Sequence, residues 1–260
     1  MNHSLAPINS YHWRNIRLIA TDMDGTLTQS EKFDAKLLKI LNRLAAAKID
    51  VLITTGRSAG WVQAIATYLP VVGAMAENGG LIYWNQDSCP RLIEETDLIA
   101  HRSQLTKVFK LLKQKFPQIE ESADNPFRIT DWTFEVDNLS PEELEQIANI
   151  CRSQGYGFTY STIQCHIKPL EQDKAYGLNK ILPQNFSHLK PTEIITIGDS
   201  PNDESMFNQE TFPLSVGVAN VVKYCDRLEY LPAYVTSKSE GEGFYELAEL
   251  ILDAQSQSDI

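Results

Sequence analysis

Arg17-Leu18-Ile19-Ala20-Thr21-Asp22-Met23-Asp24-Gly25-Thr26 sets the frame for the rest of the chain. A short apolar, β-prone run halts at two acids one residue apart. It reads as a buried strand delivering a polar loop, with Asp22 at the strand's C-terminal end. Working outward, Leu37, Leu38, Leu41 and Leu44 recur at helical spacing, and Ile49 to Ile53 form a second buried strand that ends in Thr54-Thr55-Gly56-Arg57. A helix around residues 59–68 leads to a third strand candidate over residues 71–76, closed by the turn Glu77-Asn78-Gly79-Gly80. Far downstream, Glu193-Ile194-Ile195-Thr196-Ile197 repeats the pattern and opens into Gly198-Asp199-Ser200-Pro201-Asn202-Asp203, ahead of a helix expected from Glu204. Strands alternating with helices give an α/β fold with a doubly wound parallel sheet, which binds ligands at the carboxyl ends of its strands. All four polar loops would meet there.

Between about Leu81 and Pro169 the rhythm changes. A helix near residues 103–116, an alternating strand over 127–136, a helix over 140–154 and strands over 157–161 and 163–167 read as an inserted α+β cap domain. Ser140-Pro141-Glu142-Glu143 is a well-formed helix start, with an N-cap, a proline at the first position and acids in the first turn. The expected division is a core of residues 1–83 and 169–260 around a cap of residues 84–168, with an irregular tail over 254–260.

A net charge of −11 leaves no basic stripe for a polyanion, so nucleic acid and anionic membrane surfaces are poor partners, whereas a small anion held by local groups is compatible. Cys89, Cys151, Cys165 and Cys225 form no CxxC pair, and the first residues lack the apolar stretch of a signal peptide. A cytoplasmic protein with reduced thiols is expected. No apolar run approaches the roughly 18–20 residues of a membrane span.

Asp22 and Asp24 lie close enough that both ionise cheaply only beside a cation. Mg²⁺ takes one or two carboxylates together with phosphate oxygens and waters, which suits Asp22, Asp199 and a nearby backbone carbonyl. Taken alone, this acidic turn also fits a plain surface loop or a Ca²⁺ loop. Thr55, Lys174 and the acids Asp199 and Asp203 then follow, each after a strand or early in a helix. Together they point to phosphoryl transfer: a carboxylate nucleophile forms an acyl-phosphate while metal, hydroxyl and ammonium neutralise the transferring oxygens. Asp24 is placed to protonate the leaving alkoxide.

These residues, in this order, resemble the haloacid dehalogenase superfamily, and within it the Cof-like (IIB) group of sugar-phosphate phosphatases with a type-2 cap. Asp22-Met23-Asp24-Gly25-Thr26 matches the first motif, Thr55-Gly56-Arg57 the second, Lys174 the third and Gly198 to Asp203 the fourth. The insert's place between the second and third motifs is what marks the cap as type 2. The resemblance implies that Asp22 is the nucleophile and Asp24 the general acid/base, with Thr55, Gly56 and Lys174 at the phosphate. It also implies that Asp22, the Asp24 backbone carbonyl and Asp199 ligate Mg²⁺, with Asn202 and Asp203 supporting the metal's water shell. Lys174 is followed by Ala175-Tyr176-Gly177, where the family often has glycine directly after the lysine, so Lys168 and Lys180 compete for the role. The implied activity is Mg²⁺-dependent hydrolysis of a small phosphorylated metabolite, a sugar or polyol phosphate, by a monomer or small homo-oligomer. The alternatives are a catalytically idle sugar-phosphate sensor and a phosphomutase. A nucleotide-sugar transferase would need a second nucleotide signature, which the sequence lacks.

Arg57 reads either as a clamp on an anionic substrate or as a surface ion-pair partner, and Asn78 either as a substrate contact or as part of a turn. His166 reads as a satisfied structural histidine. Trp132, Phe134 and Val136 alternate as core residues, Asp131 and Glu135 are conceivable cap contacts, and the acidic run 240–246 is expected to be a solvated loop and helix start.

Overall fold

The computed structural model describes residues 5–87, 89–94, 96–137, 139–161 and 163–256. The chain runs through β1 (Ala6–Pro7), β2 (Leu18–Thr21), α1 (Ala35–Ala46), β3 (Asp50–Thr54), α2 (Ala59–Tyr68), β4 (Gly73–Ala76), β5 (Leu81–Trp84) and β6 (Arg91–Leu92). The cap follows as α3 (Leu98–Lys115), β7 (Trp132–Glu135), α4 (Pro141–Ser153), β8 (Tyr156–Tyr160) and β9 (Gln164–Pro169). The core then resumes with α5 (Lys174–Asn185), β10 (Ile194–Gly198), β11 (Ser215–Gly217), β12 (Tyr234–Val235) and α6 (Glu240–Ser256).

The core sheet is ordered β1-β12-β11-β10-β2-β3-β4-β5-β6, parallel from β1 to β4 and antiparallel at β5 and β6. All four residues of β2 are buried because the strand lies mid-sheet, between β10 and β3, and is covered on both faces. Ile19 packs with Leu37 and Leu41 of α1, Val62 of α2 and Leu247 of α6, whereas Leu18 and Ala20 face Leu178 and Ile181 of α5. That alternation is the pleat of a strand in a doubly wound sheet, as expected. β7, β9 and β8 form a separate antiparallel sheet under α3 and α4, with Phe134, Ile147 and Ile167 in its core. Among the described residues, no helix is long and apolar enough to cross a membrane.

The structure differs from the sequence expectations at several points. The expected boundary after residue 83 falls inside the core, because β6 pairs with β5 and Ile93 N donates to Gly80 O (3.0 Å). β9, which belongs to the cap sheet, runs to Pro169, which pairs with Tyr156. The helix expected from Glu204 is instead a 3₁₀ turn, Pro201–Phe207. Asp203 folds back to accept from Asp199 N and Ser200 N, and the Thr196 hydroxyl donates to Met206 O, an acceptor a continuing helix would use. The cap strand expected from residue 127 begins at Trp132, because the buried Asn125 side chain bonds both Thr133 N and Thr133 O and holds Asn125–Phe127 as a 3₁₀ turn. α3 starts earlier than expected, where the Asp97 carboxylate accepts from Ile99 N and Ala100 N. The acidic run 240–246 is the first part of α6, with Phe244 and Tyr245 buried, and the helix carries the expected tail on to Ser256. Residues 257–260 lie outside those described.

Candidate active site

The residue after β2 continues its ladder: Asp22 N donates to Ile197 O of β10 (2.8 Å), which fixes the Asp22 carboxylate at the mouth of the sheet. Gly25 then turns with φ +79°, and a Cβ there would stand 2.6 Å from Asp199 Oδ2. Glycine is what lets this loop close against the loop after β10.

Lys174 enters from the first turn of α5, whose N-cap Asp173 accepts from Tyr176 N (2.7 Å). The fully buried ammonium lies 2.5 Å from Asp22 Oδ1 and 2.5 Å from Asp203 Oδ1. Neither competing lysine reaches this place: Lys180 pairs with Glu94 at the surface, and Lys168 bonds the Gln172 carbonyl. Asp22, Asp199 and Asp203 bring carboxylate oxygens within 4.8 Å of one another, all buried. One ammonium leaves this trio with two negative charges in excess. Burial, with repulsion from Asp203 and Asp24, outweighs the pull of Lys174 and raises the Asp22 carboxyl to about 8. Burial beside Asp22 and Asp203 likewise lifts Asp199 well above the usual carboxylate range. Against its own burial, Lys174 is held above the ordinary lysine value by Asp203 and Asp22. A hard divalent cation with oxygen ligands relieves such a cluster, so the donor set fits Mg²⁺. Asp203, expected in the metal's water shell, stands among these carboxylates.

The other expected residues have different partners. The Asp24 carboxylate is gripped by Arg57, Nη2 at 2.7 Å and Nε at 2.8 Å, and the guanidinium lies 5.1 Å from the Trp61 ring centroid. Buried Thr55 accepts from Arg57 N at its hydroxyl oxygen (3.1 Å), so its proton is available to a ligand. The Asn202 amide links the Ser200 hydroxyl (2.8 Å) to Asn78 Oδ1 (2.9 Å).

The cap closes over this floor. Ser161, Ile163, Gln164 and His166 face Asp22, Asp24, Thr55 and Arg57 across a narrow cleft of ≈ 10 Å³. The fully buried Arg128 side chain bonds Asp124 (2.9 Å), Asp131 (2.9 Å), Gln164 (2.7 Å) and, across the domain junction, Gly56 O (2.9 Å). His166 Nδ1 lies 2.8 Å from Asp131 Oδ2. Burial holds His166 below its ordinary value against the pull of Asp131, and Asp131 stays below the usual range despite burial because of Arg128 and His166. The core reaches back through buried Glu77, which accepts from Ile129 N (2.9 Å), Thr130 N (2.5 Å), Thr130 Oγ1 (2.8 Å) and Asp131 N (3.2 Å). Trp132, Phe134 and Val136 belong to the cap's core, as expected.

A profile of haloacid dehalogenase-like hydrolases matches residues 19–121 and 101–228. The chain is a haloacid dehalogenase-like hydrolase. It is of the Cof-like, IIB type, and a phosphatase of that family. A phosphoglycolate phosphatase of Thermoplasma acidophilum is 27% identical over 229 residues, 87% of this chain and 94% of that protein. The crystal structure of Thermoplasma acidophilum 0175 superposes with a TM-score of 0.73 at 23% identity, covering 92% of this chain and 98% of that one. The sucrose-phosphatase of Synechocystis, solved with sucrose and phosphate, gives 0.67 at 17% identity over 91% and 98%.

In this hydrolase, sequence reasoning missed Asn220, whose Nδ2 donates to Asp199 Oδ2 (2.8 Å) and the Gly25 carbonyl (3.1 Å). It stands in a 3₁₀ turn with no motif around it. Arg128 was equally silent, an arginine in a loop whose acids are identified only by the fold. A groove of ≈ 620 Å³ between α1 and α6, lined by Lys36, Arg43, Glu242 and Glu249, lies away from these groups.

Proposed function

We propose that the chain is a Mg²⁺-dependent phosphatase that hydrolyses a small phosphate monoester through a phospho-Asp22 intermediate. The observation that carries this reading is the Lys174 ammonium, buried between Asp22 and Asp203. It holds Asp22 Oδ1, while Asp22 Oδ2 accepts no hydrogen bond among the described residues and is left to attack. Thr55 and Lys174 hold the phosphate oxygens as Asp22 Oδ2 bonds to phosphorus and the bond to the leaving oxygen breaks. Off Arg57, Asp24 takes up a proton from solvent and gives it to that oxygen, then takes one from the water that attacks phosphorus as the bond from phosphorus to Asp22 Oδ2 breaks. Asp22, Asp199 and the Asp24 carbonyl would hold Mg²⁺, which would supply neutralisation of the phosphate charge.

The sequence favours a sugar or polyol phosphate, and the relatives' names add phosphoglycolate to the candidates. The free cysteines support a reducing, cytoplasmic setting.

Phosphate release from a panel of small esters with Mg²⁺, beside a chelator and Asp22→Asn, tests the reading. Release should stop on chelation and fall at least about 10⁴-fold in the variant. Undiminished release in Asp22→Asn, or none from any ester, would overturn it.

A further inference from the structure

We infer that Lys223 reads the leaving group of the substrate, and that it selects phosphate esters whose leaving group carries a carboxylate. This rests on the phosphatase reading above. The cleft directly over Asp22 has about the room of one water, so the leaving group extends elsewhere. Asp24, which meets the leaving oxygen, lines that cleft and also a neighbouring cavity of ≈ 180 Å³. This second cavity is bounded by Ile163 of the cap and by Thr28, Asp199, Asn220 and Lys223 of the core. The group that Asp24 protonates therefore has its space there.

The local backbone aims Lys223 at that space. Residues Ala219–Arg227 form a 3₁₀ turn, in which side chains three positions apart stand over one another. Asn220, three positions before Lys223, is fixed at the site: its Nδ2 donates to Asp199 Oδ2 (2.8 Å) and the Gly25 carbonyl (3.1 Å), and its Oδ1 accepts from Glu240 N (3.0 Å). Val221 between them is fully buried and packs on Gly217, where a methyl group would stand 2.5 Å from Val221 Cγ1. With Asn220 and Val221 both pinned, the turn presents Lys223 on the face that Asn220 turns to the cavity.

The other cations around the site are already committed. Lys174 lies between Asp22 and Asp203, Arg57 grips Asp24, and Arg128 is held by Asp124 and Asp131. Lys223 has neither an ion pair nor a hydrogen bond among the described residues. Two acids share the cavity's rim, Glu31 and Glu240, and neither pairs with it; Glu240 Oε2 instead accepts from Ser30 N (2.8 Å). An ammonium offers three donors and no acceptor, and its bond to a carboxylate is roughly twice as strong as one between neutral groups. In a chain of net charge −11, a second negative charge on the substrate also needs such a partner to enter. The substrate class is therefore a phosphorylated hydroxy acid, with phosphate and carboxylate joined by a short chain.

The test measures kcat/KM with Mg²⁺ for two matched pairs, 2-phosphoglycolate against 2-hydroxyethyl phosphate and 3-phosphoglycerate against glycerol 1-phosphate, in the wild type, Lys223→Met and Lys223→Arg. The wild type should prefer the acid in at least one pair by about five-fold or more. Lys223→Met should lower that acid-to-alcohol ratio by about five-fold or more, and Lys223→Arg, which keeps the charge, should retain most of it. Lys223 is exposed, so its replacement should leave the fold intact, and each ratio is internal to one preparation. A third ester, 2-aminoethyl phosphate, reads the rim acids: if it outruns both acids, Glu31 and Glu240 rather than Lys223 govern the cavity, and the inference fails. A wild-type ratio near or below unity in both pairs, a ratio that Lys223→Met leaves unchanged, or release only from other esters overturns this inference and leaves the phosphatase reading intact. Phosphate release from no ester at all would overturn both.

Discussion

Lys174 sits fully buried between two carboxylates. Removing one partner of such a group costs more than the pair itself contributes, because the remaining charges stay buried. Lys174→Met should therefore destabilise the metal-free protein by about 3–5 kcal/mol in urea unfolding, and abolish phosphate release. Gly25→Ala should separate the two effects: a positive φ costs a side chain about 1–2 kcal/mol. Because its Cβ would meet Asp199 rather than the core, activity should fall by far more than stability. Equal losses measured by melting and by kcat/KM would refute that assignment. At this scale the sequence was informative wherever chemistry and spacing coincide, as at Asp22, Thr55, Lys174 and Asp199. It was silent at Asn220 and Arg128, whose roles come from contacts across 195 and 72 positions with Gly25 and Gly56.

Among elements, the turn between β4 and β5 does two jobs. It presents Asn78 to Asn202, and through Glu77 it fastens the cap segment 129–131 to the core. Both residues hold positive φ, at 53° and 52°, which allows successive side chains to serve different partners. Glu77→Ala strips the acceptor from several buried N–H groups, so the latch should loosen locally. Amide exchange at Ile129, Thr130 and Asp131 should accelerate by about 10–100-fold, from about 1–3 kcal/mol of lost satisfaction. Unchanged protection at these amides would show that the latch is not what closes the cap. The strands and helices of the core could be read from periodicity because each buries a continuous apolar face. The 3₁₀ turns at Asn125–Phe127 and Pro201–Phe207 could not, because single side chains, Asn125 and Asp203, bend the backbone there.

For the molecule as a whole, the acidic cluster ties stability to pH and to metal. Asp22 moves from 3.8 to about 8 on folding, and Asp199 shifts in the same direction. A carboxyl that binds its proton more tightly when folded contributes stability fully below its unfolded value and loses it as pH rises through the folded one. Metal-free protein should thus melt lower at pH 8 than at pH 5, by roughly 4–8 °C if about 2 kcal/mol is lost at about 2–4 °C per kcal/mol. Mg²⁺ should restore more at pH 8 than at pH 5, because there it replaces the missing protons. Melts that rise with pH in chelator would refute this coupling. The same split architecture also bears on how the protein is made. β2 needs β3 on one side and β10 on the other, yet the whole cap is encoded between those two neighbours. On the ribosome, β2 therefore waits with an open, largely apolar edge while the cap is synthesised, on the order of ten seconds at about 5–20 residues per second. The insertion that shields the nucleophile in the finished enzyme delays the burial of its strand in the growing one.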